Sequence, residues 1–284
     1  MAFLDHIRAC NAYSLGDFVP FRVGPAKAGW IRRELSLELR RFGSLFHVFE
    51  DLVHLEPNLR TAADRTEAVA EALAVLAEDG VIGRLRGEMY PVIESLGAEP
   101  LFEIDRGVAT EFGIANRGFH LNGLVGEGAD TRMWVARRAL TKSTFPGRLD
   151  NMVAGGHPAG LSARENLLKE CAEEAGIPED LAARAIPVSM VSYTMEVPAG
   201  LRRHAFWSYD LRVPADFVPQ PVDGEVHEFL LMPVDEVARI VETSDEFKYN
   251  CNLVIIDWLM RTGRLDPEHP DFHALSVGLH QPWP

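Results

Sequence analysis

Glu170, Glu173 and Glu174 stand at i, i+3 and i+4 in the run KECAEEAG, a spacing that on a helix puts three carboxylates on one face within about one turn. Like charges so crowded repel. Leu168, Cys171, Ala172 and Ala175 form an apolar stripe beside them, which presses such a helix onto a sheet and leaves the carboxylates little room to splay into water. A hard divalent cation with oxygen ligands, such as Mg²⁺, cancels the repulsion and draws phosphate oxygens to the same place. Taken alone, an acidic cluster is more often a solvated helix face, so its flanks decide between the two.

Those flanks favour a site. Gly155, Gly156, Pro158 and Gly160 make a loop whose backbone can approach a ligand closely. A strand-like run at 149–154 leads into it. Ser162 with Glu165 fits a capping box, Glu165 and Lys169 form an i, i+4 pair, and Gly176 followed by Pro178 ends the helix.

Further candidates lie outside this segment. Lys142, Arg137 and Arg138 stand just upstream and could clamp an outer phosphate, although successive strand residues oppose, so only one arginine can face the site. Glu225 and Glu228, in DGEVHEF, are candidates for an extra ligand or base. His157 could hydrogen-bond phosphate, and His204, Trp207 and Tyr193 could wall a ring pocket. Solvated-surface or core roles compete for each of these side chains. Cys171 sits among carboxylates that raise a thiol pKa, which argues against a cysteine nucleophile. GxSxG, GxxxxGK[ST] and HExxH do not occur, so serine-hydrolase, P-loop and zincin chemistries have no support.

The elements that must hold these residues divide near residue 112. The chain has 284 residues, 47% hydrophobic and 25% charged, enough for one large or two modest cores. Its 42 acidic and 28 basic residues give a formal charge of −14, which argues against nucleic acid or an anionic membrane as partner. No uncharged window reaches the roughly 18 residues a membrane span needs, and Asp5 and Arg8 interrupt the start, so a cytoplasmic protein is expected. Cys10, Cys171 and Cys251 lack any CxxC spacing and read as packed thiols. Residues 1–112 open with a helix at 3–10 and include another at 66–79, preceded by Asp64 with Glu67 as a box and stopped by Gly80. Beyond them, strands are expected at 119–125, 132–139, 186–197 and 203–213 and helices at 162–175 and 247–261. The alternation of Ala205, Trp207, Tyr209, Leu211 and Val213 reads as a half-buried strand, and residues 266–284 as an irregular tail. Layers of helix on sheet, α+β or α/β, follow.

The segment GGHPAGLSARENLLKECAEEAGI resembles a Nudix box, G-x5-E-x7-R-E-U-x-E-E-x-G-U with U aliphatic. Gly155, Glu170, Glu173, Glu174, Gly176 and Ile177 match; Leu161 replaces the first Glu, Lys169 the Arg, and Cys171 an aliphatic residue. The missing Glu and Arg brace the loop in that family, and Glu165 with Lys169 is the candidate substitute. LDNMVAGG, ENLLKECAEEAGIP, VSMVSY, DGEVHEF and CNLVIIDWLMRTG extend the similarity to the thiamin-pyrophosphokinase-related Nudix hydrolases over most of residues 20–265.

The resemblance implies an α+β chain: a Nudix α/β/α sandwich with a mixed sheet at 113–265, preceded by a smaller α+β domain of unknown role at 1–112 and followed by the tail. It implies Mg²⁺ or Mn²⁺ held by Glu170, Glu173, Glu174 and the Gly155 carbonyl, the same glutamates being catalytic, with Lys142, Arg137, His157 and Glu225 binding substrate. The implied reaction hydrolyses oxy- or oxothiamin diphosphate to the monophosphate and phosphate. Nucleoside diphosphate derivatives such as ADP-ribose, or ligand binding without turnover, are the alternatives. The implied partner is a small diphosphate, with homodimerisation left open.

Overall fold

The computed structural model describes residues 2–284. Helix α1 (Phe3–Cys10) comes first, followed by β1 (Phe18–Val23), β2 (Ala26–Arg32), α2 (Arg33–Leu39), β3 (Phe46–Val48) and β4 (Val53–Leu55). These strands form one sheet in the order β2-β1-β4-β3, with β1 parallel to β4. Helix α3 (Ala62–Glu78) covers it, and β5 (Met89–Val92) pairs antiparallel with β6 (Phe102–Asp105) alongside. The core of this module is aromatic: the Phe21 ring centroid lies 6.2 Å from Phe46, 6.2 Å from Phe102 and 5.7 Å from Phe112. Val69, Leu73 and Leu76 of α3 close over these rings. The helix begins at Ala62, four residues before the expected 66. Thr61 is its cap, and Asp64 closes the box three residues later, donating its N–H to Thr61 Oγ1 at 3.0 Å.

The second module is built on β7 (Ala115–Val125), β8 (Arg132–Arg138), β9 (Leu149–Asn151), β10 (Val153–Gly156), α4 (Ala163–Ala175), α5 (Glu179–Ala182), β11 (Ile186–Val197), β12 (Gly200–Arg212), β13 (Val226–Pro233), α6 (Val234–Thr243), α7 (Tyr249–Arg261) and α8 (Phe272–Gly278). Its seven strands run β11-β12-β7-β8-β13, with β10 joined to β7 and β9 to β8. Only the β7–β12 ladder is parallel among these pairings, so the sheet is mixed. On one face Leu124, Val191 and Phe206 meet α1, α6, α7 and α8. On the other, Phe119, Leu121, Tyr209 and Leu211 meet α4 and α5. The result is the α/β/α sandwich. Helix α1 thus joins the second core, through Phe3, Ile7 and Cys10.

Several expectations are corrected. Strand β12 is central, so Phe206 and Ser208, on the side opposite Tyr209 and Leu211, are buried too; the strand is covered on both faces rather than half-buried. The run 149–154 breaks at Met152 into β9 and β10, which pair with different neighbours. The stripe that seats α4 is Leu167, Cys171 and Ala175, whereas Leu168 is only partly covered and Ala172 is exposed. The tail is ordered by α8, by Trp283 Nε1 donating to the His204 carbonyl at 3.3 Å and by Trp30 Nε1 donating to the Pro284 carbonyl at 3.1 Å. Among the described residues no helix is long and apolar enough to cross a membrane.

Because Leu167 is fully buried between α4 and the sheet, Leu167→Ala should lower the unfolding free energy by about 2–5 kcal/mol, read from a urea midpoint. Leu140→Ala, at a side chain that is 76% exposed, should shift it by less than about 0.5 kcal/mol.

Candidate active site

Strand β10 ends in Gly155 and Gly156, and the chain turns through residues 157–161 before α4 begins. Ser162 caps that helix: its Oγ accepts the Glu165 N–H at 3.2 Å, and Glu165 Oε2 accepts the Ser162 N–H at 2.9 Å. Gly176 ends it in the left-handed region at φ 60°. Glu165 is thereby committed to the cap, so it does not brace the loop through Lys169. Lys169 Nζ instead reaches Glu173 Oε2 at 2.8 Å and Glu170 Oε1 at 3.1 Å. The brace comes from Asn166, buried on α4, whose Nδ2 donates to the Gly156 carbonyl at 2.8 Å. His157 adds to it, with Nε2 2.6 Å from the Leu161 carbonyl.

Glu174 meets a different environment from its helix neighbours. It is partly buried, and burial pushes its carboxyl well above the usual range; Asp150, Glu170 and Glu225 add to the rise and only the Ala154 N–H, at 3.1 Å, opposes it. Its oxygens lie with those of Asp223 and Glu225 inside a group whose ligand atoms are all within 4.8 Å of one another. An oxygen-only set of three carboxylates fits a hard divalent cation. Glu170 packs across Gly155, where an added Cβ would stand 2.7 Å from Glu170 Cγ and would push that side chain aside. Burial raises the Glu170 carboxyl as well, against the charge of Lys169.

Beside these carboxylates opens a cleft of about 570 Å³ between the two modules. Arg86, Arg106, Arg117, Arg138, Lys142, Arg202 and Lys248 line it, against Glu88, Glu174 and Glu225. In a chain of formal charge −14, basic side chains outnumber acidic ones here by seven to three. Lys142 is ion-paired with Glu225. One wall is aromatic: Phe145, held at φ 52°, packs its ring 5.2 Å from that of Tyr249. Arg202 Nη1 donates to Tyr249 Oη at 3.1 Å, and Tyr193 Oη lies 3.0 Å from both Tyr249 Oη and His204 Nδ1. Burial first, then the charges of Arg202, Lys248 and His120, push His204 down to about 3, so the ring is neutral. Asn116 Nδ2 donates to His204 Nε2 at 3.2 Å, leaving Nδ1–H to donate to Tyr193.

The expected site residues therefore part company. Lys142, Glu225, Gly155 and Glu174 meet at the cleft, with Glu170 one helical turn back. Glu173 is half-exposed against Lys169. Arg137 does not face the cleft: it is opposite Glu228 in the β8–β13 register and donates Nε to Glu228 Oε1 at 2.9 Å, which also removes Glu228 from the site. Arg138 is the one that faces it. His157 is buried under the loop, 5.7 Å from the Trp207 ring, and so serves loop geometry rather than phosphate. Tyr193 is fully buried behind His204, and Trp207 is not at the cleft. The Cys171 thiol is pushed up to about 12 by burial and then by Glu174 and Glu170, in keeping with a packed thiol. Asp223, Arg86, Arg106, Arg117, Arg202, Lys248 and the Phe145–Tyr249 wall were not expected. Asp223 opens the DGEVHEF segment and could have been found there; the others come from separate elements and leave no local pattern.

Residues 123–251 match the NUDIX domain, and residues 2–116 match a domain of unknown function, DUF4743. The chain belongs to the Nudix hydrolase family, enzymes that hydrolyse phosphoanhydride bonds. It is 41% identical over 288 residues to Nudix hydrolase 20, chloroplastic, of Arabidopsis thaliana, covering 98% of this chain and 77% of that protein. To Nudix hydrolase 24, chloroplastic, of the same plant it is 42% identical over 274 residues, 95% and 75% of the two chains. A cocrystal structure of the NUDIX domain of Shewanella oneidensis NrtR complexed with ADP ribose superposes with a TM-score of 0.42 at 12% identity, over 53% of this chain and 90% of that one.

Under the cleft, Asp150 is buried between Arg138 Nη1 at 2.9 Å and Lys248 Nζ at 3.4 Å, and it accepts Cys251 Sγ–H at 2.8 Å. Burial alone would raise its carboxyl, but Lys248, His120, Arg138 and Cys251 together hold it well below the usual range. A native carboxyl more acidic than the unfolded one contributes stability that is complete above about pH 4 and lost as the pH falls. Asp150→Asn should therefore cost about 2–3 kcal/mol near neutrality, because it takes the buried carboxylate away from two partly buried cations. Thermal melts should show the gap from wild type narrowing as the pH is lowered from about 6 to about 3.

Proposed function

We propose that this Nudix hydrolase cleaves the diphosphate of oxidised thiamin diphosphates, releasing the monophosphate and phosphate, with Mg²⁺ or Mn²⁺ as its metal. The observation that carries the proposal is the meeting of Glu174 and Glu225, with Asp223 beside them, and seven basic side chains at one cleft that also has an aromatic wall. Glu174, Asp223 and Glu225 would hold the cation, with Glu170, Glu173 and the Gly155 carbonyl next to them on the same loop and helix. When bound, it supplies positive charge to the phosphoryl oxygens and lessens the repulsion that resists attack at phosphorus.

The chain's own residues do the rest. Arg138, Lys142 and Lys248 bind diphosphate oxygens by charge-assisted hydrogen bonds. Water attacks the terminal phosphorus, the P–O bond to the bridging oxygen breaks, and that oxygen departs with the thiamin monophosphate analogue. The water proton passes to a carboxylate of the acidic group. The heteroaromatic rings lie against Phe145 and Tyr249, and the Asn116 Oδ1 acceptor, buried without a partner, receives a hydrogen bond from the exocyclic amino group of the pyrimidine. Charge also selects among analogues. A 2-oxo thiazole ring is neutral, whereas intact thiamin carries a thiazolium cation that would face the repulsion of the same seven basic groups. The resemblance to the thiamin-related subfamily supports the same substrate.

Purified protein with Mg²⁺ should release phosphate from oxothiamin diphosphate faster than from thiamin diphosphate, ADP-ribose or nucleoside diphosphates. Faster cleavage of ADP-ribose would move the substrate to the nucleoside class. Glu174→Gln should lower kcat by about 10²- to 10⁴-fold with little change in the melting temperature, and near-normal turnover would remove Glu174 from the site.

A further inference from the structure

The side of the cleft facing α4 belongs to the N-terminal module. Arg86, Glu88, Tyr90, Arg106, Gly107 and Thr110 all line it. The module is fixed against the box loop at two points. The Ala159 N–H donates to the Met89 carbonyl at 2.8 Å, and Tyr90 is packed so tightly over Gly156 that a Cβ there would overlap its hydroxyl. A third tie, from the Leu201 N–H to the Thr110 carbonyl at 3.1 Å, joins the module to β12.

One buried carboxylate sets both arginines in place. Asp105 is 7% exposed and accepts the N–H groups of Arg86 at 2.9 Å, Gly87 at 2.7 Å and Gly107 at 2.7 Å. It thereby ties the turn that carries Arg86 to the turn that carries Arg106, and both side chains are left exposed on the cleft side. Among the described residues Arg86 has no carboxylate within salt-bridge distance, and Arg106 is paired with Glu88 at 2.6 Å. The Arg106 charge interacts with Glu225 of the acidic group, so this wall and the carboxylates share one electrostatic site.

We propose that the N-terminal module completes the reaction cleft and that Arg86 and Arg106 bind phosphoryl oxygens of the diphosphate from the side opposite the carboxylates. The proposal rests on the cleft holding a diphosphate, and it gives the module a substrate-binding role. Arg106 exchanges Glu88 for the phosphoryl group, and Arg86 meets it unpaired. A box loop and its metal ligands alone would then bind diphosphate weakly.

The test uses the full chain and inorganic pyrophosphate with Mg²⁺, followed by titration calorimetry, together with kcat and KM on the best diphosphate of the substrate panel. Arg86→Ala and Arg106→Ala should each weaken pyrophosphate binding about tenfold or more and raise KM more than they lower kcat. Arg86→Lys and Arg106→Lys should restore part of the affinity. Arg41→Ala, which removes the same charge from a side chain paired with Asp79 elsewhere in the module, should leave both quantities unchanged. Wild-type affinity and KM in the doubly substituted Arg86→Ala, Arg106→Ala protein would overturn the proposal while leaving the diphosphate reading intact. Failure of wild type to bind pyrophosphate or to cleave any diphosphate would overturn both.

Discussion

A carboxylate withdrawn from water and set among other carboxylates is unstable unless something positive reaches it, and Glu174 is in that position with a single backbone N–H in its favour. The protein keeps basic groups close by without letting them settle on it. Arg138 and Lys248 are held by Asp150, Arg106 by Glu88 and Arg202 by the Tyr249 hydroxyl. Lys142 reaches the exposed Glu225 instead. The acidic group is thus left with charge that a divalent cation can satisfy, and the cations keep capacity for an anion. Had the basic groups settled on Glu174 instead, the acidic group would keep little charge for a cation to satisfy.

Holding opposite charges apart at short range requires rigid supports, and most of the molecule serves that end. Helix α4 cannot roll, because Leu167, Cys171 and Ala175 are fixed in the sheet on one side and the Ser162 cap and Gly176 turn fix its ends. The box loop cannot drift, because Asn166 grips Gly156 and Tyr90 packs over that same glycine from the other module. On the far side of the sheet α1 and α8 close the second core, and Trp283 and Trp30 tie the last residues to β12 and β2. Two modules with separate cores therefore act as one frame around the cleft.

What the sequence discloses follows how local each determinant is. The cap, the carboxylate spacing and the glycine stop of α4 lie within one short run and each is a backbone rule, so the helix emerges as expected. The start of α3 was misplaced because Asp64 can act either as cap or as the box partner of Thr61, and only the hydrogen bonds choose. Whether Arg137 or Arg138 faces the cleft depends on pairing with β13, a strand whose register no property of β8 reveals. The cations of the cleft come from positions as distant as 86 and 248, brought together by the packing of modules, and no spacing in the chain announces that. Strand β12 looked half-buried because its alternation is real on one face, while Phe206 and Ser208 on the other are covered by helices that the strand itself does not encode.

The same locality separates chemistry from selectivity. The glycine loop and the carboxylates of α4 are compact in sequence, and a box of this kind says nothing about what a diphosphate is attached to. Phe145, Tyr249, His204 and Asn116, which line the rest of the cleft, belong to four different stretches of chain. Phe145 shows how firmly that region is built. Its left-handed backbone, unfavourable for a bulky side chain, persists while Arg138 binds the Thr144 carbonyl at 2.9 Å and the Phe145 carbonyl at 3.1 Å, with its other nitrogen on Asp150. One arginine therefore joins the buried ion cluster to the aromatic wall. A change at Asp150 would reach the ring pocket through Arg138, and because the Asp150 charge also raises the Glu174 carboxyl it would reach the acidic group as well, so the stability of the ion cluster and the chemistry of the cleft are coupled at that residue.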